Sequence, residues 1–331
     1  MAVFMESAAV TIPKSKLRQE LYRQLAERIG EEALIQRLQK EALHESMQVW
    51  QGKNLFNPDR IPYFFETIRF ILKVLQLWNP GRRNFLDVKV VRNEVTFPNL
   101  PAGLDGVRIL QLSDLHLDLE PALTRVIVKL LEGLEYDLAV VTGDYRDDTK
   151  GSITACQSLM QEICQVLKPP VYGILGNHDP IELVPPLEEM GLPILINETV
   201  SYAKNGDRLY ISGIDDPHYY EGHDFAKLKG TLPEGAFSIL LSHAPETHKQ
   251  ALELGYDFIL AGHTHGGQIC LPGGIVIMHN GDCPSYMLAG NWKYKGIKGY
   301  TSRGTGGCRL PIRFSCPPEI TMHVLRRESA R

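Results

Sequence analysis

The chain contains no run of about 18 uncharged apolar residues, so a membrane-spanning helix is not expected. The nearest approach is IPYFFETIRFILKVLQLW, residues 61–78, which is interrupted by Glu66, Arg69 and Lys73. At helical spacing those charges share one face. Phe64, Phe65, Ile68, Ile71, Leu72, Leu75 and Trp78 share the other, so the segment reads as an amphipathic helix. Cys-x-x-Cys spacing is also missing, the six cysteines standing at 156, 164, 270, 283, 308 and 316. The start of the chain lacks a signal-peptide pattern, and the expectation is a cytoplasmic protein with scattered reduced thiols rather than disulfides or sulfur-ligated zinc. Charge of one sign is not in excess, with 35 Lys and Arg against 39 Asp and Glu for a net −4. Without a basic tract interleaved with aromatics, no nucleic-acid partner is expected. Internal repeats and low-complexity tracts are lacking too.

What is present divides near residue 84. The 331 residues suffice for one large domain and a modest extension. Residues 1–83 form a helical extension. Within it, residues 17–43 carry apolar positions every three to four places and predict a surface helix. NLFNPDRIP then breaks the chain before the helix at 61–78, and Asn79-Pro80-Gly81 ends that helix, with Arg82 and Arg83 behind it. Residues 84–331 form the larger domain. Strands are predicted at 86–96, 107–112, 138–142, 171–175, 199–203, 209–212, 238–241, 258–260, 275–278 and 320–325. Helices are predicted at 121–131, 153–167, 181–190 and 245–254. Asn205-Gly206 is a hairpin signal. Alternation of βα units followed by hairpins predicts a mixed α/β fold.

Five segments of that domain share one grammar, an apolar strand ending in a polar cluster: RILQLSDLHLD, LAVVTGDYRDD, YGILGNHDP, SILLSHAPE and FILAGHTHGGQ. In an open α/β sheet the loops at strand ends converge on one crevice. Each cluster alone fits a turn or a cap. Together they bring carboxylates, imidazoles and one amide, a donor set suited to Mn, Fe, Zn or Mg, and no thiolate.

In order and context, these motifs resemble the calcineurin-like metallophosphoesterase superfamily, whose pattern reads D-x-H, G-D, G-N-H-D/E, H and G-H-x-H. The resemblance covers roughly residues 105–325. It implies a four-layer αββα sandwich and two divalent metal ions, Mn foremost. The first ion would be held by Asp114, His116, Asp144 and His265, and the second by Asp144, Asn177, His243 and His263, with Asp144 bridging. It further implies hydrolysis of a phosphoester by attack of a hydroxide shared between the metals. His178 would lie near the leaving group as a catalytic residue, with Asp179 orienting its imidazole.

The stretches GHTHGGQ and SRGTGGCRLPIRFSCPPEI resemble a narrower bacterial subgroup that includes an alternative UDP-2,3-diacylglucosamine hydrolase of lipid A synthesis. That implies cleavage of a lipid-linked nucleotide diphosphate to a lipid sugar phosphate and UMP at the inner membrane surface. The helix at 61–78 would either touch the membrane peripherally or pack on the domain. Trp292, Lys293, Tyr294, Lys295, Lys298 and Arg303 read as a late basic, aromatic loop, in which Arg303 is the candidate substrate-binding residue beside Asn177. Asp215-Asp216-Pro217-His218 ends another strand, where it would either line the site or, as the simpler account, form a turn. Two alternatives stay open: a broad phosphodiesterase or phosphatase on nucleotides or phosphoproteins, and a non-catalytic metallophosphatase-like scaffold.

Overall fold

The computed structural model describes residues 16–46 and 63–328. Three segments of regular apolar alternation explain its layering. In β2 (Arg108–Leu112), Ile109 faces one side and Leu110 and Leu112 the other. In β7 (Ser238–Leu241) and β8 (Phe258–Ala261), Ile239, Leu241, Phe258 and Leu260 face inward while Leu240, Ile259 and Ala261 face outward. Strands that are apolar on both faces must be covered on both, which gives two sheets packed face to face with a helical layer on each outer side.

The elements follow in chain order. Helices α1 (Lys16–Ile29), α2 (Glu31–Ser46), α3 (Phe64–Val74) and α4 (Trp78–Leu86) precede β1 (Lys89–Phe97) and β2. Then come α5 (Ala122–Glu132), β3 (Leu138–Thr142), α6 (Thr154–Cys164), β4 (Val171–Ile174) and α7 (Val184–Glu189). The second half runs through β5 (Glu198–Lys204), β6 (Asp207–Gly213), α8 (Phe225–Leu228), β7, α9 (His248–Glu253) and β8. It closes with β9 (Cys270–Leu271), β10 (Ile275–Val276), β11 (Gly290–Tyr294), β12 (Ile297–Thr301) and β13 (Glu319–Arg327).

One sheet has the order β1-β13-β2-β3-β4, the other β11-β12-β8-β7-β6-β5. Strands β2, β3 and β4 are mutually parallel, as are β6, β7, β8 and β12. All five polar clusters therefore leave their strands at carboxyl ends, where such sheets place their ligands.

Several expected boundaries move, each for a local reason. The single helix expected over 17–43 is two helices, because Gly30 adopts a left-handed φ of +96° between them. Leu25, Ile29 and Leu34 of this pair join the core on the outer face of the first sheet. Of the helix expected over 61–78, residues 61 and 62 lie outside the described residues. The rest is α3, which stops at Val74 and turns through Gln76 (φ 58°). Asn79-Pro80-Gly81 does not terminate it but opens α4, where the first-turn position of proline needs no amide hydrogen. The late basic loop is a hairpin, β11 and β12, turned at Lys295-Gly296 with both φ positive. Its Trp292 and Ile297 are buried while the lysines stay outside, so the lysines mask a strand pattern. The strand expected over 275–278 shortens to the two residues of β10.

Candidate metal centre

The five clusters meet in one buried crevice. Asp114 and His116 follow β2, Asp144 follows β3, Asn177 follows β4, His243 follows β7, and His263 and His265 follow β8. All seven are buried. Five of them hold left-handed backbone: Asp114 (φ 52°), His116 (43°), Asp144 (56°), His263 (71°) and His265 (50°). Non-glycine residues seldom adopt that region, and it persists where the surrounding structure enforces it, typically at functional sites. Gly176 serves the same end by having no side chain, since a Cβ there would collide with Asp144 Oδ1.

Ligand atoms of Asp114, His116, Asp144 and His265 lie within 4.8 Å of one another, and so do those of Asp144, His243 and His263. Asp144 belongs to both groups, its Oδ2 lying 3.2 Å from His243 Nε2 and 3.5 Å from His116 Nε2. Asn177 Oδ1 joins the second group, 3.1 Å from His243 Nε2 and 2.9 Å from His263 Nδ1. Both ring nitrogens of His116, Nε2 of His263 and Nδ1 of His265 are buried with no hydrogen-bond partner among the described residues. Each such atom costs about 1–3 kcal/mol if left unmatched. A set of unmatched imidazole nitrogens converging on carboxylates fits divalent cations in both groups.

The electrostatics match that density of charge. Burial works against the Asp144 carboxylate, but His243, His178 and His116 together hold its pKa well below the usual range. Asp114 goes the other way, raised by burial with Asp144 adding to it. Burial opposes the charge of His243 as well, yet Asp144 and Asp114 hold its imidazole well above its ordinary value. His263 and His265 are pushed well down, by burial first and then by neighbouring histidines.

Around the ligands the arrangement departs from expectation at two residues. Asp179 does not touch the His178 ring. Its carboxylate accepts from the backbone N–H groups of Asp144 (2.7 Å), Tyr145 (2.9 Å) and Gly176 (2.8 Å), fixing two ligand loops to each other. His178 instead donates from Nδ1 to the carbonyl of Asp147 at 2.7 Å, so the neutral ring presents a lone pair at Nε2. Arg303 is the second. It forms an ion pair with Glu319 at 2.7 Å and is not among the residues lining the crevice.

The arginine that does line it is Arg309, on the loop after β12, beside Cys308 and Leu310. That loop is pinned by fully buried Arg313, which donates to the carbonyls of Arg303, Gly306 and His265. His218 proves to be more than a turn residue. It pairs with Glu246 at 2.7 Å and packs, tilted by 45°, against the candidate ligand His263, centroids 4.1 Å apart. Both lie in stretches that the sequence singles out, but nothing there marks either side chain as the one that faces the crevice.

Behind Asp114 a file of side chains runs back between the sheets. Ser113 Oγ donates to Asp114 Oδ2 (2.6 Å), Thr142 Oγ1 to Ser113 Oγ (2.7 Å) and Gln111 Nε2 to Thr142 Oγ1 (3.0 Å). His323 Nε2 donates to Gln111 Oε1 (2.9 Å), and Asn93 Nδ2 to His323 Nδ1 (3.0 Å).

In front of the ligands lies a cavity of about 380 Å³. One wall is Asp144, Asn177, His178, His263 and His265, and another is the α3 side chains Phe64, Phe65, Ile68 and Leu72. His44 of α2, Arg309, Ile277 and Met278 also face it.

Comparison with known proteins agrees with this architecture. Residues 107–267 match the family described as calcineurin-like phosphoesterase. The chain is 30% identical over 258 residues to the uncharacterized metallophosphoesterase YkoQ of Bacillus subtilis, covering 74% of this chain and 93% of that one. A transmembrane protein with metallophosphoesterase domain from Danio rerio is 33% identical over 268 residues, covering 72% of this chain but 57% of its own length. Phosphodiesterase YaeI of Escherichia coli is 25% identical over 228 residues, covering 65% of this chain and 80% of its own. The chain belongs to the calcineurin-like metallophosphoesterase family. It is a hydrolase acting on phosphoester bonds, and the fold implies a dinuclear divalent metal site. No helix of the described residues is long and apolar enough to cross a membrane.

Proposed function

We propose that the protein hydrolyses a phosphodiester or diphosphate bond in a substrate whose phosphate carries a large apolar group. UDP-2,3-diacylglucosamine, cleaved to a lipid sugar phosphate and UMP, is the specific candidate. The observation that carries this reading is the cavity itself, in which the ligand cluster opens directly onto the phenylalanine and leucine side of α3. A site for a small, fully ionic phosphate has no use for such a wall, whereas an apolar substituent gains about 25 cal/mol for every Å² it buries there.

Asp114, His116, Asp144 and His265 would hold one ion, and Asp144, Asn177, His243 and His263 the other. Such a pair supplies Lewis acidity at phosphorus and lowers the pKa of water. The chain's own groups do the rest. Asn177 contributes an oxygen without a further negative charge, which keeps the crevice attractive to phosphate. His178 offers its Nε2 lone pair to a proton and donates only once it is charged, so it is suited to carry a proton to the leaving oxygen rather than to hold one at rest.

Phe70, Ile71 and Val74 of the same helix and Leu75 just after it are exposed, as are Ile275 and Ile277 on the segment that includes β10. Exposed apolar side chains on the helix that walls the cavity support a peripheral position at a bilayer surface, from which a lipid-linked substrate would enter.

The test is turnover by the full chain loaded with Mn, offered an aryl phosphodiester, an aryl phosphomonoester and UDP-diacylglucosamine in detergent. Diester and lipid diphosphate are expected to be cleaved, the latter with far the higher kcat/KM. Monoester cleavage alone would point to a phosphatase, and no turnover with both metals bound to a scaffold. Retention of the lipid preference after Ile68→Glu would remove α3 from substrate binding.

A further inference from the structure

Besides His279 on the segment after β10, two imidazoles line the cavity without belonging to either ligand group, and they come from different parts of the chain. His178 follows β4. His44 lies on α2, in the extension, and is likewise buried and in the cavity lining. The two rings meet edge to face with centroids 6.4 Å apart. None of the motifs that define the metal centre includes a residue of α2.

The protonation of His44 is set by its partners. Its Nδ1 lies 3.2 Å from the hydroxyl of Tyr220, and that contact is the only hydrogen bond of the hydroxyl among the described residues. A buried phenol needs an acceptor for its proton, so Tyr220 donates and Nδ1 accepts. The proton of the neutral ring then resides on Nε2, which has no hydrogen-bond partner among the described residues.

The rest of the environment holds this arrangement in place. Tyr219 stacks on the His44 ring at 4.1 Å. The Arg37 guanidinium lies 3.4 Å from the centre of the Tyr220 ring, where its charge strengthens the phenol as a donor. Arg37 is itself fixed by Asp215, by Glu41 and by the carbonyl of Asp179, the last residue of the Gly-Asn-His-Asp motif. Thus α2 is tied to the loop that carries Asn177 and His178, and one of its side chains points a donor into the site.

We propose that His44 is a substrate-contacting residue supplied by the N-terminal extension. Its Nε2–H donates to a non-bridging oxygen of the phosphoryl group, with Arg309 as the neighbouring cation and Tyr220 as the positioning residue that keeps the proton on Nε2. This rests on the phosphohydrolase reading above. It divides the work of the two imidazoles: in their neutral forms His44 presents a donor and His178 an acceptor. A donor aimed at charge that grows in the transition state is worth about 10- to 100-fold in rate.

The experiment compares wild type, His44→Ala, His44→Gln and Tyr220→Phe as full chains loaded with Mn. Readouts are kcat/KM on bis-p-nitrophenyl phosphate, affinity for inorganic phosphate by calorimetry, and metal content. His44→Ala is expected to lose about 10- to 100-fold in kcat/KM and to bind phosphate more weakly, with both metals retained. His44→Gln, which keeps an N–H donor, recovers part of the loss. Tyr220→Phe loses less, and in ¹⁵N-histidine spectra the His44 ring no longer shows a single Nε2–H tautomer. A His44→Ala enzyme within about twofold of wild type overturns the proposal. So does a loss that follows metal content, or one that grows as the leaving group of a diester series becomes poorer, which would place the donor on the leaving oxygen. If His44→Ala does not fold, His44→Gln and Tyr220→Phe decide by the same criteria. A wild type that holds two metals and cleaves nothing sinks the phosphohydrolase reading instead, and the phosphate affinities then still judge His44.

Discussion

Replacing Arg37 by Met should detach α2 while leaving the metal centre assembled. Arg37 is 2% exposed, and its guanidinium is the shared partner of Asp215 (2.8 Å), Glu41 (2.8 Å) and the Asp179 carbonyl (2.6 Å). Burial opposes its charge, but the two carboxylates outweigh that and raise its pKa further. Methionine fills much of the volume and supplies none of the charge. Asp215 and Glu41, whose pKa values burial already raises, then remain as buried acids with one backbone N–H each. Removing one member of a buried ion pair costs about 3–5 kcal/mol. The cost falls on the docking of α2, because the residue ties that helix to two loops and takes no part in either sheet. At 1.36 kcal/mol per decade, hydrogen-exchange protection of residues 31–46 should drop by about two to three and a half decades. The sheet strands should keep theirs. Metal content should stay at two ions, since α2 supplies no ligand, while kcat falls because His44 leaves the site. A drop below about tenfold in α2 protection, or one spread equally over both sheets, would refute the argument.

Three further outcomes follow from the geometry. Asp144→Asn weakens both ions at once, because this carboxylate serves both groups; calorimetric titration with Mn should lose both binding events rather than one. Gly176→Ala drives its new Cβ into Asp144 Oδ1 and the Asp144 backbone nitrogen and should cost metal affinity about tenfold or more together with about 1–3 kcal/mol of stability, losses that elemental analysis and a melting curve would test together. Acid should destabilise the fold early through His323. Burial lowers its pKa from 6.5 to about 3, so the folded state gives up about 2 kcal/mol through this residue as pH falls from 7 to 5, and none of it above pH 7. In urea titrations at the two pH values, His323→Gln should show a correspondingly smaller difference.

The metal centre was legible in the sequence because its grammar is local. An apolar strand followed at once by Asp-Leu-His or Gly-His-Thr-His marks a strand end, and parallel topology then gathers the ends. The same logic located most strands and the hairpin at Asn205-Gly206. It failed where charge hides a pattern, as at β11 and β12, whose exposed lysines read as a loop. It failed also where a contact joins distant segments. Nothing in KEALHES distinguishes His44 from a solvated residue of a charged helix, and only the fold sets it beside His178. The arginines of SRGTGGCRL show the limit of spacing alone: Arg303 and Arg309 are equally plausible on paper, and Glu319, sixteen residues after Arg303 at the start of β13, takes the first.

The file of side chains behind Asp114 has one property that its members lack individually. Asn93, His323, Gln111, Thr142 and Ser113 all donate in the same direction, toward the carboxylate. Bond dipoles lined up in this way add, and each link polarises the next. The seam between the sheets is thus a small fixed electrode whose positive end rests against the carboxylate of a candidate metal ligand. Its polarity belongs to the whole file. Reversing a single link would set two donors or two acceptors face to face, so Thr142→Val would interrupt the field at every residue downstream of Thr142. The interior of the sandwich not only supports the crevice but sets the potential at one of its ligands, from as far back as Asn93 on the edge strand.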